Sequence, residues 1–273
     1  IDNNMGNVPN LRFPGFEGEW VHFRLGEIAT FSKGKGISKS DIDDNGNTEC
    51  IRYGELYTHY GETIDKVKSK TNVDVDTLTL SEANDVIIPA SGETTIDIAT
   101  ASCVLKSGIA LGGDLNIIKT KNNGVFLSYY LNSKKKLEIA NLAQGISVVH
   151  LYSSQLSSLS LRLPTLEEQK RISIFLATLD KRIQTQNKIL QHYQSLIQNL
   201  REAIFKQKIS FKDKDGNAFP SWEIYKLKDI AERIVRKNTY NNQNVLTISA
   251  QHGLISQLEF FNKSVSAKNV EGY

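Results

Sequence analysis

At 273 residues the chain can hold one large domain or two ordinary ones, and 40% hydrophobic with 23% charged residues is the composition of a soluble, core-forming protein. Its 33 basic and 30 acidic residues leave a net charge of +3, which neither demands nucleic acid nor argues against it, because local patches outweigh the total. Two cysteines, Cys50 and Cys103, make no metal spacing and no disulfide framework, no apolar run reaches membrane-span length, and Ile1-Asp2-Asn3-Asn4 is no signal peptide; together these point to the reducing cytoplasm.

Residues 1–12 are polar and expected to be loosely held. Residues 13–164 read as one globular domain of α/β or α+β class, rich in short β-like runs. Val86-Ile87-Ile88 precedes Pro89, Gly108-Ile109-Ala110-Leu111 precedes Gly112-Gly113, and Leu115-Asn116-Ile117-Ile118 follows Asp114. Phe126–Leu131 and the stretch through Ile139 and Leu142 carry helical spacing. Leu159-Ser160-Leu161-Arg162-Leu163 alternates as a half-buried strand before Pro164. Gly- and Ser-rich stretches at 32–40, 91–95 and 144–147 read as loops.

Residues 165–209 change texture. From Leu166 to about Lys208 there is no Gly and no Pro, and apolar residues fall at Ile172, Leu176, Leu179, Ile183, Leu190, Tyr193, Ile197, Leu200 and Ile204. Steps of four and three, with Gln186 as the one polar seat, are the heptad of a coiled coil. Pro164-Thr165 suits a helix start, and Glu167 and Glu168 suit its positive end. At about 1.5 Å per residue the rod is on the order of 65 Å long. One apolar seam on such a rod needs a partner helix, from this chain or another; packing on its own globular domain is the alternative.

A pattern of Trp, Leu at +5, Ile at +8 and Ala at +9 occurs twice. It is Trp20, Leu25, Ile28, Ala29 after Phe13-Pro14, and Trp222, Leu227, Ile230, Ala231 after Phe219-Pro220. Two starts of one domain type are implied, so residues 210–273 read as the opening of a second, incomplete α/β domain.

The run Pro164-Thr165-Leu166-Glu167-Glu168-Gln169-Lys170-Arg171-Ile172, continuing through Phe175-Leu176-Ala177-Thr178-Leu179-Asp180, resembles the junction of recognition domain and long helix in specificity subunits of type I restriction–modification enzymes. The repeated Trp-x4-Leu-x2-Ile-Ala pattern resembles the start of their target recognition domains, and Gln144-Gly145-Ile146-Ser147 with Leu151 resembles the end of one. The resemblance implies a non-catalytic DNA-reading subunit. In that family two recognition domains each read half of a split double-stranded target. Two antiparallel helices between them set the unread gap and dock methyltransferase subunits, and a translocating restriction subunit joins the assembly. No cofactor is implied for this chain; S-adenosylmethionine belongs to the methyltransferase, ATP and Mg to the nuclease subunit. With one recognition domain, one helix and part of a second domain, two copies pairing through the long helix would rebuild a split reader with two-fold symmetry.

The residues themselves offer no enzyme. Lys33-Gly34-Lys35-Gly36 lacks the spacing and hydroxyl of a P-loop, no Asn-Pro-Pro-aromatic run exists to hold a flipped base, and the five histidines make no ligand pair. Glu168-Gln169-Lys170 has the form of a nuclease Glu-x-Lys but opens a coiled-coil helix without a partner acid, so a helix-start charge cluster explains it better.

DNA contact requires cations for phosphate and polar groups for base edges, which directs attention to loops of residues 30–150. Lys33, Lys35 and Lys39 share a glycine-rich stretch. Arg52 has the fork that pairs with guanine, and Tyr53 can lie on the sugar–phosphate wall. Lys66 and Lys68, with Lys70, alternate along an extended segment. Ser91 and Thr94 lie at a strand end, and Gln144, Ser147 and His150 in a late loop. For each the plain alternative is a solvated or scaffolding role. A stand-alone DNA binder, repressor or decoy, using the same domain is the alternative to the specificity subunit.

Overall fold

Val86–Ile88 and Leu115–Ile118 are nearly continuous apolar runs, the composition of strands covered on both faces. In the computed structural model, which describes residues 9, 11–145, 148–234 and 242–263, they are neighbours in a five-stranded sheet. Its order is Ala29–Lys33, Leu115–Thr120, Val86–Pro89, Ser102–Val104, Thr63–Ile64, antiparallel except for the last, parallel pair. Because side chains alternate across a strand, this sheet serves two cores. Val86, Ile88 and Ile118 join Phe126, Leu127 and Leu131 on one face. Ile87, Leu115 and Ile117 join Ile51, Leu56 and Leu111 on the other.

A second sheet runs Ser69–Thr71, Thr48–Ile51, Ala110–Leu111, Thr79–Leu80, with one parallel pair at its centre. Val21–Arg24 pairs antiparallel with Ser160–Leu163, Phe23 opposite Leu161, so the alternation read at 159–163 ties the domain's end to its beginning. The architecture is a mixed α/β domain followed by a long helix, Leu166–Phe205. The chain divides into two units, Ile1–Ile197 and Gln198–Tyr273, and that division falls inside the helix. Within the second unit Leu246–Ser249 and Gly253–Ser256 form an antiparallel hairpin, and Phe205 packs edge-on against Trp222 at 6.1 Å.

The two stretches of helical spacing, Phe126–Leu131 and that through Ile139 and Leu142, are the helices Gly124–Ser133 and Lys136–Leu142, separated at Lys134-Lys135. Other expectations need correction. Of the apolar run 108–111 only Ala110–Leu111 is strand. The glycine-rich loop at 32–40 begins inside the strand Ala29–Lys33 and ends in a turn of 3-10 helix, Lys39–Asp41. The stretch 91–95 holds a two-residue strand, Ser91–Gly92, and the start of the helix Thr95–Ile98. Arg12 is far from loose: its guanidinium grips Glu168 with two bonds, 2.7 Å from Nε and 2.6 Å from Nη2.

Candidate nucleic-acid interface

A concavity in the first unit is built where glycines let backbones cross. A Cβ on Gly34 would lie 2.0 Å from the carbonyl oxygen of Gly112, so only glycine lets this segment pass over the turn after Leu111. Lys35 N then donates to Leu111 O at 2.9 Å, and Gly113 N to Gly36 O at 3.0 Å. Gly36 and Ile37 both take left-handed backbone, φ 66° and 59°. That conformation is uncommon for a β-branched residue, and burial of Ile37 against Cys50 and Ala110 holds it there. The result is a groove of about 1000 Å³ between the segment Gly36–Asp41 and the helix Tyr53–Thr58, floored by Gly112–Asp114.

Its electrostatics are mixed. Lys39 and Arg52 line it, but so do Asp41, Glu55, Glu93 and Asp114. Hydrogen bonds from the Ser38 hydroxyl and backbone N–H hold the Asp41 carboxyl below its ordinary range. Burial first, then the neighbouring Tyr53, Glu93 and Asp97, push the Tyr57 phenol up at the groove wall. Arg52 Nη2 donates to Glu55 Oε1 at 3.3 Å, and Ser69 Oγ donates to the same oxygen at 2.5 Å. Glu55 Oε2 accepts from Arg52 N.

Of the residues singled out in the sequence, the structure gathers Lys39, Arg52 and Tyr53 in the groove. Lys35 is exposed beside its lining residue Gly36, and Lys68 Nζ sits 2.9 Å from Nε2 of the groove residue His59. Lys33 ends a strand, exposed, opposite Asn116. Lys66 is exposed outside any strand. The alternating lysine strand is not formed, because the strand spans only Ser69–Thr71. Ser91 is buried and pairs with His150 across a short ladder, while Gln144 exchanges backbone bonds with His150. Thr94 Oγ1 caps the helix Thr95–Ile98 by accepting from Asp97 N. This second cluster adjoins the groove through Glu93; Ser147 lies outside the described residues. Glu55, Tyr57, Ser69 and Gly112-Gly113 were missed, although Arg-x-x-Glu at 52–55 and the glycine pair were visible signals.

The long helix has two distinct parts. Glu168, Gln169 and Ser173 are buried. Gln169 Oε1 accepts from Asn123 N at 3.0 Å, and its Nε2 donates to Asn122 Oδ1 at 3.0 Å and Pro164 O at 2.9 Å. Ser173 Oγ donates to Asn123 Oδ1 at 2.7 Å, and Tyr129 Oη to Asp180 Oδ2 at 2.5 Å. Both Asn123 and Tyr129 belong to the helix Gly124–Ser133 or its cap, so two points along that short helix clamp the long one. Ile172 packs on the domain core, which corrects its assignment to the partner seam; Leu176 is half-buried. From Lys181 to Glu202 every residue is exposed, including Ile183, Leu190, Tyr193, Ile197 and Leu200. Leu179 is exposed just before this stretch, and Ile204 is half-buried after it. Glu168 lies in the helix's first turn, as read from the sequence, and is in addition a buried ion-pair partner of Arg12. Among the described residues no group of three His, Cys, Asp or Glu could hold a metal, and no helix is long and apolar enough to cross a membrane.

Comparison with known proteins agrees with this architecture. The family described as type I restriction modification DNA specificity domain matches residues 17–192. The chain is 25% identical, over 85% of its length and 53% of the relative's, to the type I restriction enzyme MjaVIII specificity subunit of Methanocaldococcus jannaschii. In fold it resembles the crystal structure of a type I restriction–modification system S subunit from M. genitalium, with a TM-score of 0.53 and 16% identity, covering 73% of this chain and 49% of that one. A chain from a structural study of complex assembly and conformational transition of the type I R-M system gives 0.50 and 18%, over 73% and 47%. The chain therefore spans about half the length of the proteins it matches.

Proposed function

The chain belongs to the family of type I restriction–modification DNA specificity domains, and from that premise we propose that it reads one half of a bipartite duplex target through the groove around Arg52. The observation that carries this reading is the convergence of Lys39, Arg52 and Tyr53 on one glycine-floored groove, with Lys35 and Lys68 beside its lining residues. Exposed lysines supply phosphate contact, and the groove supplies base contact. The chain performs no catalysis. The exposed seam from Ile183 to Leu200 pairs with a second helix, and the helix docks methyltransferase subunits. A restriction/translocase subunit completes the assembly, in the cytoplasm where its DNA lies. S-adenosylmethionine, ATP and Mg act on those other subunits.

Two measurements test the reading. Duplex affinity should fall linearly on a log–log plot against salt, with a slope of about −0.9 per phosphate neutralised. A salt-independent affinity would refute phosphate-driven binding. Co-elution with a type I methyltransferase subunit supports the docking role, whereas DNA binding without co-elution would favour a stand-alone binder.

A further inference from the structure

Arg52 is held in an unusual way for a surface arginine. Its side chain is 28% exposed and that of its partner Glu55 only 6%. Glu55 is itself fixed by the Ser69 hydroxyl, which is buried with it, and by Arg52 N. This chain of contacts anchors the root and one side of the guanidinium, and Gly112 below it leaves the backbone in place of a side chain. The anchoring is incomplete. Nη2 stands 3.3 Å from the carboxylate, longer than the 2.7–2.9 Å usual for charge-assisted bonds, and the buried Nε has no hydrogen-bond partner among the described residues. A buried unpaired donor calls for an explanation. The fork engages Glu55 by a single N–H, and because Nε is buried, the donors kept for a ligand in the groove are those of the terminal nitrogens.

The lining decides what that ligand is. Lys39 and Arg52 share the lining with four acidic residues, so a phosphate entering the groove would share it with Asp41, Glu93 and Asp114. A base edge carries no net charge, and guanine offers two acceptors, O6 and N7, at the spacing of an arginine fork. We infer that Arg52 reads a guanine in the half-site, and that Glu55, itself seated by Ser69, is the positioning residue that aims it. Phosphate contact falls to Lys33, Lys35 and Lys68. The inference rests on the DNA-reading function proposed above.

The test is selection of a randomised duplex library by the full chain as wild type, Arg52→Lys and Glu55→Gln, with melting curves confirming that each is folded. Arg52→Lys keeps the charge and removes the fork. The wild type should enrich a motif containing guanine. Arg52→Lys should lose that guanine preference by about tenfold while leaving the other positions and the salt slope unchanged. Glu55→Gln should flatten the same position. If Arg52→Lys leaves the motif intact, Arg52 is not a base reader and the inference is overturned. If Glu55→Gln weakens binding evenly across sequences, its positioning role is overturned. A wild type that enriches no motif defeats the DNA-reading function itself, a distinguishable failure.

Discussion

Replacing Gln169 by Ala tests how the long helix is fixed to the domain. The side chain is 1% exposed and makes three hydrogen bonds, to Asn123 N, Asn122 Oδ1 and Pro164 O. Each such bond is worth about 1 kcal/mol net, and the groups left unpaired in a buried site add to the loss, so the expected cost is about 3 kcal/mol. For a unit of this size that lowers the melting temperature by roughly 6–12 °C. Gln169→Glu should be no better. It keeps an acceptor for Asn123 N but aims a charge at two oxygens that now accept from an N–H. The control is Gln186→Ala on the exposed part of the same helix, expected within about 0.5 kcal/mol of wild type. The assay is thermal and urea unfolding, with hydrogen exchange at residues 123–127 reporting the site directly. If Gln169→Ala melts with Gln186→Ala, the clamp is not what seats the helix.

Gly34→Ala places a methyl group 2.0 Å from Gly112 O, a backbone atom that cannot yield locally; a marked loss of stability and of DNA binding is expected, whereas Gly61→Ala, with open space around it, should be silent in both assays. Leu190→Glu with Tyr193→Glu should leave the melting of the domain unchanged, since both are more than half exposed, and should abolish helix pairing by light scattering; loss of the fold instead would mean the seam packs internally. Burial pushes the Cys50 thiol up to about 11 and Cys103 to about 12. Neither should be alkylated in the native state at pH 8, and both should be once the chain is denatured. Because the folded state holds these protons more tightly, their contribution to stability is complete below the ordinary thiol value of 9.0 and is lost as pH rises through about 11 and 12.

Local pattern revealed what local pattern controls. The continuous apolar runs at 86–88 and 115–118 became sheet neighbours, and the alternation at 159–163 and the heptads after Leu166 announced a strand and a helix. What escaped were contacts between distant segments. Nothing near Arg12 indicates that Glu168 waits for it, so a tethered residue read as part of a loose terminus. Gln169 sits among charged neighbours, and its amide is explained only by the Asn122-Asn123 turn. The site followed the same rule. Arg52 and Tyr53 were legible as residue types, but the acidic character of their groove arises from loops that topology brings together. Lys66 and Lys68 alternate in sequence yet share no strand, because pairing with Thr48–Ile51 begins only at Ser69.

The central claim is that the groove between Gly36–Asp41 and Tyr53–Thr58 meets DNA. Hydrogen–deuterium exchange of the chain with and without duplex, at low salt, tests it most directly. The account predicts slowed exchange in residues 36–41, 53–59 and 112–114, with the exposed helix from Lys181 to Glu202 unchanged. Protection confined to that helix, or to the second unit, would contradict it.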